Sequence, residues 1–268
     1  MKAKGIIILS GSIIVAALLV FLVVSQQTDE YVIDEQEQIP SPSDALFTKS
    51  NTEQSFEDEL LERVDGEDDL QVAVTGSSVA AGEGASEYNQ SWAALLEGEL
   101  NRNESLPPVE VENFGVSGFK VSDLLAEGVI DDMINSEPDV VIMETSVINS
   151  YFHEEPLDET KQSIQTAVDQ IKNDLPDTYL VLIAPNPISE SIFSFSTNEL
   201  EFEEYVLATE EYILESEWDY FDSYNAWTEE LEYREEDLDN LLGDGVHPND
   251  EGYHLWYSLL NESVVQYE

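Results

Sequence analysis

From residue 70 onward the chain alternates short β-branched apolar runs with segments of helical periodicity. The runs are Leu70–Thr75, Val109–Phe114, Val140–Glu144, Tyr179–Ala184 and a short Tyr220–Tyr224. Helical patterns cover Ser91–Leu100, Val121–Ile134, Leu157–Leu175, Glu199–Glu217 and Asp250–Val265. Each carries one apolar stripe: Ile164, Val168, Ile171 and Leu175 stand at i, i+4, i+7 and i+11, and Val121, Leu124, Leu125, Val129 and Met133 share a face likewise. The runs are nearly uniform in polarity, as strands buried on both faces require. This alternation predicts an α/β fold, a three-layer α/β/α sandwich with a central parallel sheet. Ligands in such sheets sit at the carboxyl ends of the strands, so the chemistry should lie just after each run.

Two segments precede this domain, which is expected to span 69–268. Lys2 and Lys4 are followed by an uncharged run from Gly5 to Val24 with only Ser10 and Ser12 as polar side chains. Twenty residues at ~1.5 Å each reach ~30 Å, the thickness of a bilayer's hydrocarbon core. Lysines before the run, and Asp29 and Glu30 after it, place the N-terminus inside and the remainder outside. The run ends without an Ala-x-Ala-like site, so 1–25 is expected to be an N-terminal transmembrane anchor, with a signal peptide as the alternative. Residues 26–68, rich in Gln, Glu, Asp, Ser and Pro, are expected to form an acidic, mostly disordered stalk with a short helix around Phe56–Val64.

Charge restricts the partners. The net charge is −50, from 59 acidic and 9 basic side chains, and such a surface repels nucleic acid. High salt would screen its self-repulsion, which suggests a salt-adapted protein outside the cell. There are no cysteines, which excludes disulfides, thiol nucleophiles and Cys-ligated zinc.

The strand ends carry four modest signals. After the first comes Thr75-Gly76-Ser77-Ser78-Val79-Ala80-Ala81-Gly82-Glu83-Gly84, a Gly/Ser turn without the lysine of a P-loop or a Gly-x-Gly-x-x-Gly. After the second comes Asn113-Phe114-Gly115-Val116-Ser117-Gly118, where a glycine N–H can approach a developing negative charge. After the third comes Glu144-Thr145-Ser146-Val147-Ile148-Asn149, ending in a side-chain amide donor. Near the C-terminus stands Asp244-Gly245-Val246-His247-Pro248-Asn249-Asp250, with an acid three residues before one of only three histidines. Its Asp244 can accept from one ring nitrogen of His247 and leave the other as a base. Each segment alone is compatible with a plain turn or a helix cap.

Taken together, Gly76-Ser77-Ser78…Gly82, Gly118, Asn149 and Asp244-Gly245-Val246-His247-Pro248 resemble the four sequence blocks of the SGNH/GDSL hydrolases, in order, over residues 70–268. The resemblance implies a flavodoxin-like sheet, Ser78 as nucleophile, His247 as base and Asp244 as its partner. It also implies an oxyanion hole from the Ser78 and Gly118 N–H groups and the Asn149 amide, with no metal and no cofactor. The implied activity is hydrolysis of a carboxylic ester, acyl or acetyl, with cell-surface or secreted carbohydrate among the candidate carriers. Two departures stand out: the family's Gly-Asp-Ser is Gly-Ser-Ser here, and its Gly-x-Asn-Asp is replaced by a segment in which Ser150 follows Asn149.

Two other readings compete. A metal hydrolase would draw ligands from Asp244, His247, Asp250 and His254. A catalytically impaired member of the same fold would act as a surface carbohydrate-binding or scaffold protein. Trp92, Phe114, Phe119, Tyr151, Phe152, Phe193 and Phe195 are candidates for an acyl or sugar site as well as for core packing. The loop Asn186–Asn198 is a candidate lid.

Overall fold

The apolar runs are strands, and they lie in one sheet. The structure, a computed structural model, describes residues 47–48, 60–61, 69–195 and 200–265. Its strands are β1 (Phe47–Thr48), β2 (Leu70–Gly76), β3 (Val109–Gly115), β4 (Val140–Glu144), β5 (Tyr179–Ile183) and β6 (Tyr220–Phe221). They are ordered β1-β6-β5-β4-β2-β3, with β1 antiparallel on β6 and all other pairs parallel. Counted from β2, the parallel strands run 2-1-3-4-5, the flavodoxin-like order, whose reversal falls between β2 and β4.

Strand alternation sends side chains to two cores. Val72, Val74, Val140, Ile142, Val181 and Ile183 face one side. There they meet Trp92 and Leu96 of α2 (Trp92–Leu100), Trp227 of α8 (Ser223–Arg234) and Trp256 of α9 (Asp250–Val265). Ala73, Val141, Met143, Leu180 and Leu182 face the other side, against α3 (Val121–Ala126), α4 (Val129–Asn135) and α6 (Leu157–Asp174). A one-turn α1 (Ser78–Ala81), α5 (Val147–Phe152) and α7 (Phe202–Glu215) are further helices. Parallel strands with helices on both faces are what the sequence pattern predicted.

Three local expectations need correction. β3 is not uniformly buried: Val109 and Val111 point inward while Glu110 and Glu112 are exposed, because β3 is an edge strand. Charged residues on an open edge discourage pairing with a second chain. The single helix expected over Val121–Ile134 is two helices, because Gly128 has φ +78°, a left-handed backbone that ends the right-handed path. The last run is shorter than expected, since Asp222 accepts from Asn225 N at 3.1 Å and caps α8 directly after Phe221.

The expected anchor, 1–25, lies outside the described residues, as does most of the expected stalk. Within 26–68 two points are described. Phe47 pairs with Phe221 at the sheet edge, and Leu60, on one face of a helical turn, is fully buried in the first core. Among the described residues no helix is long and apolar enough to cross a membrane.

Candidate active site

The chain leaves β2 through Gly76, whose φ of +146° is open to glycine. A Cβ there would stand 2.6 Å from the Cβ of Glu144, so nothing larger fits between β2 and the end of β4. Ser77 stands at the N-cap position of α1 without a side-chain capping bond, Ser78 is its first residue, and Gly82 ends it in the left-handed region. The Ser78 N–H, at a first helical position, has no intrahelical acceptor. Gly115 packs flat on this turn, for a Cβ on it would lie 2.4 Å from the Ala81 nitrogen. Asn113 Nδ2 donates to Ala80 O at 2.7 Å and ties the same turn to β3. Ser78 is thus held at the topological switch point by contacts from both neighbouring strands.

The loop before α9 brings His247 to it. His247 Nε2 lies 2.9 Å from Ser78 Oγ, and its Nδ1 lies 2.8 Å from Asp244 Oδ2. Asp244 Oδ1 also accepts from the His247 and Val246 N–H groups at 2.8 and 3.0 Å. Burial alone would raise the Asp244 carboxyl, but these amides and the His247 ring outweigh it and hold it below the usual carboxylate range. Gly84 leaves room for the approach, since a Cβ there would meet Pro248 O at 2.3 Å and His247 Cβ at 2.9 Å.

The loop that carries Gly118, after β3, meets Asn149, after β4, across the switch point. Gly118 has φ +78° with open space where a side chain would be. Asn149 Nδ2 donates to Phe119 O at 2.8 Å, next to Gly118, which leaves its second N–H for another acceptor. Val116 N donates to Gly76 O at 3.0 Å and fastens this loop to the turn that carries Ser78.

Three acids at the site carry no role in the sequence reading. Glu83 Oε2 lies 3.3 Å from His247 Nε2, on the nitrogen that also faces Ser78. Its place between Gly82 and Gly84 was a usable signal. Glu144 is fully buried and accepts from the Ser77 and Ser146 N–H groups at 2.7 and 2.9 Å. Burial pushes its carboxyl up, opposed by those two amides. An acid at the end of an apolar strand was its signal. Glu155 accepts from Ser150 Oγ at 2.8 Å and from Lys120 Nζ at 2.9 Å, and no local pattern marks it. Each departure from the family blocks therefore has a glutamate beside it: Glu144 at Ser77 and Glu155 at Ser150.

The other candidates settle differently. Among the described residues no three His, Asp or Glu side chains converge on a metal site. Asp250 is turned onto Ser86, accepting from its N–H at 2.7 Å and its hydroxyl at 2.6 Å. Trp92 and Tyr151 are core residues; Trp92 stacks on Trp256 with centroids 5.9 Å apart. The first half of the candidate lid is a buttress: Asn186 Nδ2 donates to Val246 O at 3.0 Å and Ser189 N to Gly245 O at 2.8 Å. Phe193 packs edge-on to Tyr151 with centroids 6.3 Å apart. Residues 196–199 and the Phe195 side chain lie outside the described part of the structure.

The model of the GDSL-like lipase/acylhydrolase family matches residues 74–255. No curated protein matches the chain. Among solved structures, the acetyl xylan esterase AlAXEase superposes with a TM-score of 0.60 at 19% identity, over 73% of this chain and 100% of its own. A catalytic mutant of Axe2, an acetylxylan esterase from Geobacillus stearothermophilus, gives 0.57 at 18% identity, over 75% and 97%. A two-domain esterase (CEX) active on acetylated mannans gives 0.58 at 16% identity, over 74% of this chain; this chain spans 49% of that one. At these identities the likeness is one of fold. The family match runs from within β2 into α9 and takes in Ser78, Gly118, Asn149, Asp244 and His247, and the chain belongs to the GDSL-like lipase/acylhydrolase family.

Proposed function

We propose that this protein is a serine carboxylic-ester hydrolase that removes acyl, above all acetyl, groups from carbohydrate outside the cell, held to the membrane by residues 1–25. The observation that carries the reading is the continuous contact from Ser78 Oγ through the His247 ring to Asp244. Ser78 Oγ attacks the ester carbonyl while its proton passes to His247 Nε2. Asp244 holds the Nδ1–H tautomer and stabilises the imidazolium. The carbonyl oxygen gains negative charge facing the Ser78 and Gly118 N–H groups and the free Asn149 N–H. Collapse breaks the bond to the leaving oxygen, which takes the proton from Nε2. Water then repeats the sequence on the acyl-enzyme and frees the acid and Ser78.

Acetylated xylan and mannan are the substrates named for the structural neighbours, and they support carbohydrate as the acyl carrier. Lys2 and Lys4 ahead of the apolar run support the exterior placement. The test is labelling with a fluorophosphonate probe together with hydrolysis of acetyl and octanoyl esters. Labelling and acetyl-ester turnover in the wild type, both lost in Ser78→Ala, are expected. A folded wild type that neither labels nor turns over would support the non-catalytic binder instead.

A further inference from the structure

Glu155 closes the turn between α5 and α6, and only 6% of its side chain is exposed. Its Oε1 accepts from Lys120 Nζ at 2.9 Å and Ser122 Oγ at 2.8 Å; its Oε2 accepts from Ser150 Oγ at 2.8 Å and Thr160 Oγ1 at 2.9 Å. Two donors on each oxygen fill the acceptor capacity of a carboxylate. Burial raises this carboxyl, but Lys120 and the three hydroxyls more than reverse the effect, so it stays ionised. The main chain is fixed too, with Glu155 N donating to Ser150 O at 2.9 Å and Tyr205 OH to Glu155 O at 2.8 Å.

The donors come from elements that matter. Lys120 and Ser122 follow Gly118 by two and four residues; Ser150 follows Asn149 by one. A direct hydrogen bond, Asn149 Nδ2 to Phe119 O at 2.8 Å, also joins these two segments. We infer that Glu155 is a positioning residue which holds the Gly118 loop and α5 in register, so that the Gly118 N–H and the Asn149 amide converge on one oxyanion. This inference rests on the hydrolase reading above. Glu155 is itself too buried to meet substrate. It supplies from position 155 the carboxylate that the family pattern places directly after the Asn, where this chain has Ser150. A preorganised donor pair is most valuable where charge develops, so loosening it should slow turnover more than it weakens substrate binding.

The experiment compares Glu155→Gln, the double variant Ser122→Ala/Ser150→Ala and, as a control, Thr178→Val on an acetyl ester, with Ser78→Ala alongside. Thr178 Oγ1 donates to Pro138 O at 2.6 Å before the amino ends of β5 and β4, away from Glu155 and both donor segments, so its loss reports a merely structural role. Glu155→Gln and the double variant are expected to lose about ten- to hundred-fold in kcat, below the ~10²–10³ cost of removing a whole oxyanion donor. Their KM should stay within about three-fold, and Thr178→Val should keep its kcat. Should Glu155→Gln fail to fold, the two serine substitutions decide the matter. If Ser78→Ala abolishes turnover while the folded Glu155 or serine variants keep the wild-type kcat, or if Thr178→Val falls as far as they do, the positioning role is overturned alone. Turnover that survives Ser78→Ala overturns the hydrolase reading and this inference together.

Discussion

Glu144 Oε2 accepts the Ser77 N–H at 2.7 Å from a fully buried position with no cation among its bonded partners. Ser77 precedes the proposed nucleophile, so this carboxyl fixes the turn from below. Glu144→Gln would set an NH₂ donor against one of the two backbone N–H groups the carboxyl now receives. An unpaired buried amide costs about 1–3 kcal/mol, and urea unfolding at pH 5 should show a loss of that size. The penalty should then shrink toward pH 8. A carboxyl whose folded pKa is raised contributes stability below its unfolded pKa and loses it as pH rises through the folded one. Only the wild type carries that loss. A gap that widens with pH would contradict this account.

Glu83 bears on rate rather than on the fold. Its carboxylate is 3.3 Å from His247 Nε2, and its side chain is 47% exposed. When Ser78 gives up its proton, the imidazolium gains a second carboxylate neighbour beyond Asp244. An ion pair this exposed is worth roughly 0.2–1 kcal/mol. Glu83→Gln should therefore slow acetyl-ester hydrolysis by at most about five-fold at 0.1 M salt, with the difference vanishing near 1 M, where the screening length is about 3 Å. A hundred-fold loss would make Glu83 an essential group instead.

What the sequence disclosed follows from which interactions are local. Strand runs and helix stripes are periodic within a few residues, so β2, β4, β5 and α6 were legible from composition and spacing. Strand order is not local, and so the alternating pattern of β3 made sense only once β3 stood at an edge. Gly128 was visible as a residue, but a glycine permits a left-handed backbone without requiring one, and only the coordinates show that it adopts one here. At the site, Asp244 and His247 share one turn and announced themselves, whereas Ser78 lies 169 residues from His247 and needed the family resemblance. Glu155 meets Lys120 across 35 positions with no motif at either end, and only coordinates join them.

Away from the site, Glu210 lies half-buried on α7 near Asp222. Burial first, and the Asp222 carboxylate second, push its carboxyl up to about 7. Because that pKa is raised, its contribution is present at acid pH and lost as pH rises through about 7. Glu210→Gln removes both the buried charge and the repulsion. It should leave the urea midpoint near the wild-type value at pH 5 and raise it at pH 8. A variant whose stability relative to wild type is the same at both values would show that neither burial nor Asp222 raises this carboxyl.

The same repulsion acts over the whole surface. Residues 199–240 hold 17 acids against a single base, and that base, Arg234, is taken up by Glu230 at 2.6 Å. With so few cations available for pairing, folding gathers like charges that the unfolded chain keeps farther apart. Raising salt from 0.05 to 0.3 M shortens the screening length from well above 10 Å to below it, so most of the relief should come in that interval. The urea midpoint at pH 7.5 is expected to climb steeply there and more slowly up to 2 M. Near pH 4, close to the isoelectric point of about 4.1, the same salt series should change it little, because the net charge driving the effect is gone. A midpoint that rises evenly to 2 M and identically at both pH values would assign the gain to general exclusion of salt from protein surface rather than to screening of this acidic shell.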